Sequence, residues 1–257
     1  MSRFNNLEFG GQFDDEQSQS QPLIKDEAYY QQEAQAAFES GDFERALRSY
    51  AKVLEHNPQN TTAWTGQVRM LIELGEFREA KLWADKALEQ FPHEPELLAA
   101  KAVSLARLGD VKSAMAFSDA AVEERGDTPY IWLARGDVLL AAKRRQATFC
   151  IEQAIARAHG WFTHWLASRI YHYYKKFSLA LQMAQQALAL DAARSVAWLQ
   201  LGYCQTALGL TVQATESFEQ VRQLDPQNYE VTAALLESTQ LRPTKRFFRL
   251  CRRMFRQ

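Results

Sequence analysis

The sequence is poor in the features that mark several common protein classes. It has only three cysteines in 257 residues, and none is spaced as C-x-x-C, so we expect no disulfide framework and predict a reducing compartment. No stretch approaches the 18 consecutive apolar residues of a membrane span, and the first residues show no secretory signal. These absences favour a cytoplasmic protein.

Motifs for catalysis are also missing. The chain has no G-x-x-x-x-G-K-[ST], G-x-G-x-x-G, G-x-S-x-G or H-E-x-x-H segment. His164 and His172 lie eight residues apart but have no carboxylate or thiol in matching register, so they make a poor metal site. Cys150 and Cys204 lie among apolar residues and are predicted to be buried structural thiols. The sequence therefore predicts a protein that is not an enzyme, with no cofactor, no metal and no small-molecule substrate.

The net charge is small but unevenly distributed along the chain. The net charge is −1, yet the last fourteen residues, TKRFFRLCRRMFRQ, contain six Lys or Arg and no acid, which leaves −7 for residues 1–243. A nucleic-acid-binding protein usually spreads positive charge over a face, so the acidic body argues against nucleic acid as a partner.

A period of 34 residues runs through most of the chain. It places glycines at Gly41, Gly75 and Gly109, alanines at Ala46, Ala80 and Ala114, and prolines at Pro58 and Pro92. In each unit, a first helix begins near a bulky residue, a glycine permits the turn, and a second helix presents alanine where the helices cross. Because one hairpin cannot bury its apolar stripe alone, stacked units are expected to share a core as a solenoid.

The period divides the chain into three regions. Residues 1–26 are rich in Gln, Ser, Asn and Asp and are predicted to be a disordered or loosely attached tail. Residues 27–242 contain the repeat units 27–60, 61–94, 95–128, 129–161, 162–194 and 195–228, and a partial unit at 229–242. Two units have lost the turn glycine and carry Lys143-Arg144-Arg145 or Lys175-Lys176-Phe177 instead. Residues 243–257 form the third region.

These units resemble the tetratricopeptide repeat family. Unit six matches its pattern at Trp198, Leu201, Gly202, Gly209, Ala214, Phe218 and Pro226, and unit one matches at Gly41, Ala46, Tyr50 and Pro58. The resemblance implies an all-α fold, a right-handed α-α superhelical solenoid of antiparallel helix pairs. It also implies a concave groove, lined by the first helices, that binds an extended or helical segment of a partner protein.

The resemblance also implies which side chains face this groove. The candidate residues for binding a partner are Gln35, Arg69, Glu73, Arg107, Tyr130, Leu133, Asp137, Ile170, Tyr173, Gln200 and Tyr203. Arg69 and Arg107 are expected to be available for an acidic residue, whereas the C-terminal half of the groove is apolar and aromatic. The Lys and Asn pattern by which one subclass grips a C-terminal carboxylate is absent. An alternative is that the aromatic residues only form core between repeats.

The C-terminal region predicts a basic amphipathic helix. At 100° per residue, its apolar and basic side chains separate onto opposite faces. The candidates for membrane or partner binding on this helix are Phe247, Arg249, Cys251, Arg253, Met254 and Arg256. Three partners remain open for the apolar face: the last repeat, which the helix would cap, an anionic membrane surface, or another protein.

The sequence therefore supports a non-enzymatic interaction scaffold, adaptor or chaperone that holds a partner segment in the groove. The alternative is a membrane-peripheral assembly factor attached by its C-terminal helix. Two further hypotheses are weaker, a chaperone of a secretion apparatus and a nucleic-acid binder.

Overall fold

The computed structural model describes residues 25–158 and 160–228, together with Val231, Ala234 and Leu235. Helices account for all the regular secondary structure in this part of the chain, and they form six packed pairs. The first helices are α1 (Glu27–Glu39), α3 (Thr61–Glu73), α5 (Pro95–Leu108), α7 (Pro129–Ala141), α9 (Trp161–Tyr173) and α11 (Ser195–Leu208). The second helices are α2 (Phe43–His56), α4 (Phe77–Gln90), α6 (Val111–Glu123), α8 (Ala147–Arg157), α10 (Phe177–Leu190) and α12 (Thr211–Leu224). The predicted all-α superhelical solenoid is confirmed.

The turn between the two helices of a pair keeps one backbone conformation even where the glycine is lost. Gly41 and Gly109 have φ angles of 78° and 90°, in the left-handed region that favours glycine. Lys143 and Lys175 occupy the corresponding turns with φ angles of 54° and 58°. The repeat geometry therefore imposes this conformation on the two lysines, although a side chain makes it less favourable.

Tryptophans near the start of the first helices fix the loops that join the pairs. The indole Nε1 of Trp64 donates to the carbonyl of Pro58 at 2.9 Å, and that of Trp198 donates to the carbonyl of Ala192 at 2.8 Å. Each bond ties the end of one pair to the beginning of the next. Trp64 and Trp198 thus fix the position of their own units against the preceding ones.

Small residues allow the helices to cross closely. The predicted crossing alanines on the second helices are fully buried, namely Ala46, Ala80, Ala114 and Ala214. Gly202 on α11 packs directly beneath Phe218 on α12, where an added Cβ would lie 2.3 Å from the Phe218 ring. A larger residue at position 202 would therefore push these two helices apart.

The solenoid curves so far that its first pair reaches its fifth. The rings of Phe38, at the end of α1, and Phe162 on α9 lie 4.9 Å apart in an edge-to-face arrangement. Phe43 at the start of α2 stacks on Trp165 at 6.2 Å. Residues of the first and fifth pairs therefore share one apolar core, in addition to the cores between successive pairs.

The end of the sixth pair is covered by residues that follow it. Val231 and Ala234 are buried against Ala214, Phe218 and Val221 of α12. The predicted C-terminal helix at 243–257 and residues 1–24 of the predicted N-terminal tail lie outside the described residues. Within the described part, no helix is both long enough and apolar enough to cross a membrane.

Candidate functional site

Two adjoining pockets lie on the concave side of the solenoid, and together they form the groove. The arginine pocket, of about 40 Å³, is lined by Arg69, Ile72, Glu73, Val103, Arg107, Tyr130, Leu133, Ala134, Asp137, Leu166 and Ile170. The tyrosine pocket, of about 320 Å³, is lined by Ile72, Glu73, Leu74, Gly75, Phe77, Arg107, Arg169, Ile170, His172, Tyr173, Gln200 and Tyr203. Most of these residues belong to first helices, as the family resemblance implied.

Nearly all of the predicted groove residues line these pockets. The exception is Gln35, an exposed residue of α1 whose side-chain amide donates to Glu39 at 2.8 Å. At the other end of the groove, Tyr173 is 45% exposed and Gln200 is buried. The position of a residue within its repeat thus identified the surface, although it did not reveal how the charged residues on that surface are paired.

Arg107 is not available to a partner, which corrects the expectation from the sequence. Its guanidinium pairs with Asp137, a second predicted groove residue, and the two side chains are only 8% and 3% exposed. The hydroxyl of Tyr174 donates to the same carboxylate at 2.6 Å. The Arg107 Cζ also lies 3.5 Å from the centre of the Tyr173 ring. The charge of Arg107 is therefore neutralised inside the groove.

Burial and Asp137 also determine the protonation of this cluster. Burial lowers the pKa of Arg107, but the adjacent Asp137 carboxylate raises it by more. The pKa of Arg107 therefore lies above its ordinary value. Burial and the Asp137 charge both raise the pKa of Tyr174 well above its usual value. At neutral pH Arg107 is therefore charged and the Tyr174 phenol keeps its proton.

A second ion pair spans the groove between helices from distant repeats. Arg169 on α9 donates to Glu73 on α3 through Nε at 2.8 Å and Nη2 at 2.6 Å. The Arg169 Cζ also lies 4.7 Å from the centre of the Phe43 ring. Both charged side chains are partly buried, so this pair is shielded from solvent more than a surface salt bridge.

Arg69 differs from the other two arginines of the groove. Its Cζ lies 3.9 Å from the centre of the Tyr130 ring and 4.9 Å from that of Phe38. The hydroxyl of Tyr130 is buried and has no hydrogen-bond partner among the described residues. Burial raises the pKa of Tyr130 well above its ordinary value, so this hydroxyl keeps its proton and remains a donor.

Sequence reasoning missed Arg169 because the fifth unit was read one residue late. Helix α9 begins at Trp161, whereas the predicted unit begins at residue 162. Counted from Trp161, Arg169 takes the ninth position of its unit, as Arg69 does in the unit that begins at Thr61. Sequence reasoning also missed other residues that line the pockets, including Ile72, Phe77, Ala134 and His172. The only signal for them was that they lie close in sequence to predicted groove residues.

Of the cysteines and histidines considered in the sequence analysis, those among the described residues are buried or contact other residues of the fold. Cys150 and Cys204 are buried, as predicted, and burial raises the pKa of both thiols. His164 contacts the carbonyl of Gly160 at 3.1 Å, and the His172 ring packs against that of Phe177 at 5.3 Å. Among the described residues, no three His, Cys, Asp or Glu side chains are grouped as metal ligands.

Several solved structures have a similar fold at low sequence identity. The APC/C hetero-tetramer Cut9-Hcn1 matches with a TM-score of 0.66 and 16% identity, over 86% of this chain and 44% of the other. A tetratricopeptide repeat protein from Parabacteroides merdae matches with a TM-score of 0.53 and 15% identity, over 85% and 86%. The human IFIT1 dimer with m7Gppp-AAAA matches with a TM-score of 0.50 and 18% identity, over 84% and 56%.

These comparisons settle the family. The chain spans about half the length of the first structures it resembles. No curated protein matches the sequence significantly. Two family profiles, both described as tetratricopeptide repeat, match residues 8–159 and residues 196–228. The chain belongs to the tetratricopeptide repeat family.

Proposed function

We propose that this protein is a non-enzymatic interaction scaffold that binds a segment of a partner protein in its groove. The observation that carries the proposal is the tyrosine pocket, whose volume of about 320 Å³ is sufficient for one or two large side chains. Tyr173 and Tyr203 line it together with Ile72 and Ile170. Aromatic residues around an open pocket are typical of the central anchors of protein interfaces.

The groove favours one short segment over a broad flat contact. The Glu73–Arg169 pair and the buried Arg107–Asp137 pair fill part of its depth. A segment therefore has to reach the remaining pockets with individual side chains, as a helix or extended peptide does. An adaptor and a chaperone would both use this mode, and they differ only in whether the bound segment is later released to another protein.

The proposal can be tested with peptides selected from a random display library. Peptides that bind the full-length protein are synthesised with a fluorescent label, and their affinities are measured by fluorescence anisotropy. Tyr173→Ala should weaken them by about tenfold or more, as expected for an aromatic anchor. Leu82→Ala is the matched control, because Leu82 is 65% exposed on the second helix α4 and lines neither pocket.

Circular dichroism and thermal unfolding show whether each variant keeps its fold. If Tyr173→Ala and Leu82→Ala bind the selected peptides as well as the wild type does, the groove is not the binding surface.

A further inference from the structure

Among the described residues, three arginines line the groove, and two of them pair with a carboxylate. Arg107 is paired with Asp137, and Arg169 is paired with Glu73. Arg69 has no carboxylate oxygen within 4.0 Å among the described residues. Glu73 and Asp137 are the only carboxylates in the two described pockets. The groove therefore contains one more guanidinium than carboxylate.

The surroundings of Arg69 hold its guanidinium in place and give its N–H groups no acceptor among the described residues. The centres of the Phe38 and Tyr130 rings lie 4.9 Å and 3.9 Å from its Cζ, and the rings stabilise the positive charge. They do not accept hydrogen bonds from the N–H groups at the edge of the guanidinium. The buried Tyr130 hydroxyl in the same pocket is a second donor with no partner among the described residues. Two donors beside apolar walls create a site for an acceptor.

Other carboxylates in this region are already engaged. Glu39 and Glu96 both act electrostatically on Tyr50, which is also influenced by Arg69. Glu39 accepts from the amide of Gln35 at 2.8 Å, and Glu96 accepts from the hydroxyl of Thr128 at 2.7 Å. Neither carboxylate lines the arginine pocket. The acceptor for Arg69 therefore has to come from outside the described part of this chain.

On the basis of the proposed function, we propose that the arginine pocket binds the side-chain carboxylate of an Asp or Glu in the partner segment. Arg69 donates through its guanidinium edge, and the Tyr130 hydroxyl donates a further hydrogen bond. A pocket of about 40 Å³ has room for a carboxylate group, but none for a large side chain. An apolar side chain next to this acid in the segment enters the adjoining tyrosine pocket.

The test uses two display libraries of short random peptides, with the central residue fixed as Asp in one and Asn in the other. Both libraries are selected on the full-length protein. The Asp library should yield binders at least about tenfold tighter than the Asn library, because a charge-assisted hydrogen bond replaces a neutral one. Changing the central Asp of a selected peptide to Asn should produce the same loss.

Variants of the protein identify the residue that reads the charge. With Arg69→Gln, the Asp and Asn forms of one peptide should bind with equal affinity, whereas Arg69→Lys should retain part of the preference. Tyr130→Phe should weaken the Asp form by a few-fold and leave the Asn form nearly unchanged. Arg48→Gln is the matched control, since Arg48 lies on the second helix α2 with its side chain 70% exposed.

Two results would overturn different parts of this account. Equal affinities for Asp and Asn peptides that still depend on Tyr173 would refute the acidic anchor and leave the groove as the binding surface. A preference for Asp that survives both Arg69→Gln and Tyr173→Ala would show that the peptides bind elsewhere, and both proposals would then fail.

Discussion

Glu73 and Arg169 are 96 residues apart in the sequence, yet they form a salt bridge at 2.6 Å across the concave side of the solenoid. The bond connects the second helix pair to the fifth. Near it, Phe38 contacts Phe162 and Phe43 stacks on Trp165. Curvature thus brings repeats that are distant along the chain into direct contact, and the groove lies inside this curve.

Glu73→Gln is expected to weaken this connection. The free energy of unfolding should fall by about 1 kcal/mol, because a partly buried arginine loses its charged acceptor while solvent screens part of the effect. Urea unfolding measures the change. Glu44→Gln is the matched control, since Glu44 and Arg48 form an exposed pair with side chains 74% and 70% accessible, and its removal should have no measurable effect. Equal effects of the two substitutions would contradict a special role for Glu73.

Phe38→Ala should be considerably more damaging. Phe38 is 2% exposed and joins the cores of the first and fifth pairs, so its removal should lower stability by about 3–5 kcal/mol. Phe149→Ala serves as the control, because Phe149 is 56% exposed and its loss should change stability by less than about 0.5 kcal/mol. Small-angle scattering of Phe38→Ala should also show a larger radius of gyration. An unchanged radius would mean that other contacts maintain the curvature.

The helices and the groove surface could be predicted from sequence because the period fixes both. The ninth residue of a unit lines one of the two pockets in most repeats, as Arg69, Asp137 and Tyr203 do, although Gln35 of the first unit does not. Arg169 was missed because the predicted fifth unit begins at residue 162, one residue after helix α9 begins at Trp161. A repeat pattern therefore predicts a surface only as well as it predicts the register.

The contact between the first and fifth pairs could not be predicted in this way. It depends on the summed rotation between successive units, and each rotation is set by how side chains pack at one interface. A small difference at each step moves Phe38 by many ångströms relative to Phe162. The Arg107–Asp137 pair is easier to predict from the sequence than this contact, because positions thirteen and nine of consecutive units lie side by side.

Lys143→Gly is expected to stabilise the protein by about 0.5–1 kcal/mol. Lys143 has a φ angle of 54°, which a glycine adopts without the steric penalty of a side chain. The reverse comparison is Gly109→Ala, which should destabilise by about 1 kcal/mol. A Cβ at Gly109 would meet no atom within 4 Å, so this loss reports the backbone conformation alone. Thermal unfolding midpoints check both, and a destabilised Lys143→Gly would show that the lysine side chain has a compensating contact.

The stability of the protein should fall in mild acid because of His172. Burial lowers the pKa of His172 below its ordinary value of 6.5, and the charge of Arg169 lowers it further. As the pH falls below 6.5, the unfolded chain binds a proton at this residue before the folded chain does, so folding becomes less favourable down to the lower folded pKa. Urea unfolding at neutral and mildly acidic pH should show a smaller decrease for His172→Gln than for the wild type. Parallel decreases in both proteins would assign the effect to other groups.

Breaking the Arg107–Asp137 pair should be as damaging as removing Phe38. Asp137→Ala should lower stability by about 3–5 kcal/mol, because it leaves a guanidinium with a side chain only 8% exposed without its counter-charge. Removing both charges with Arg107→Met and Asp137→Leu should restore much of this loss, since no unpaired charge remains in the interior. A double-mutant cycle from urea unfolding measures the coupling. Because Tyr174 also donates to Asp137, Tyr174→Phe is needed to separate that bond, and strictly additive effects would contradict a coupled buried pair.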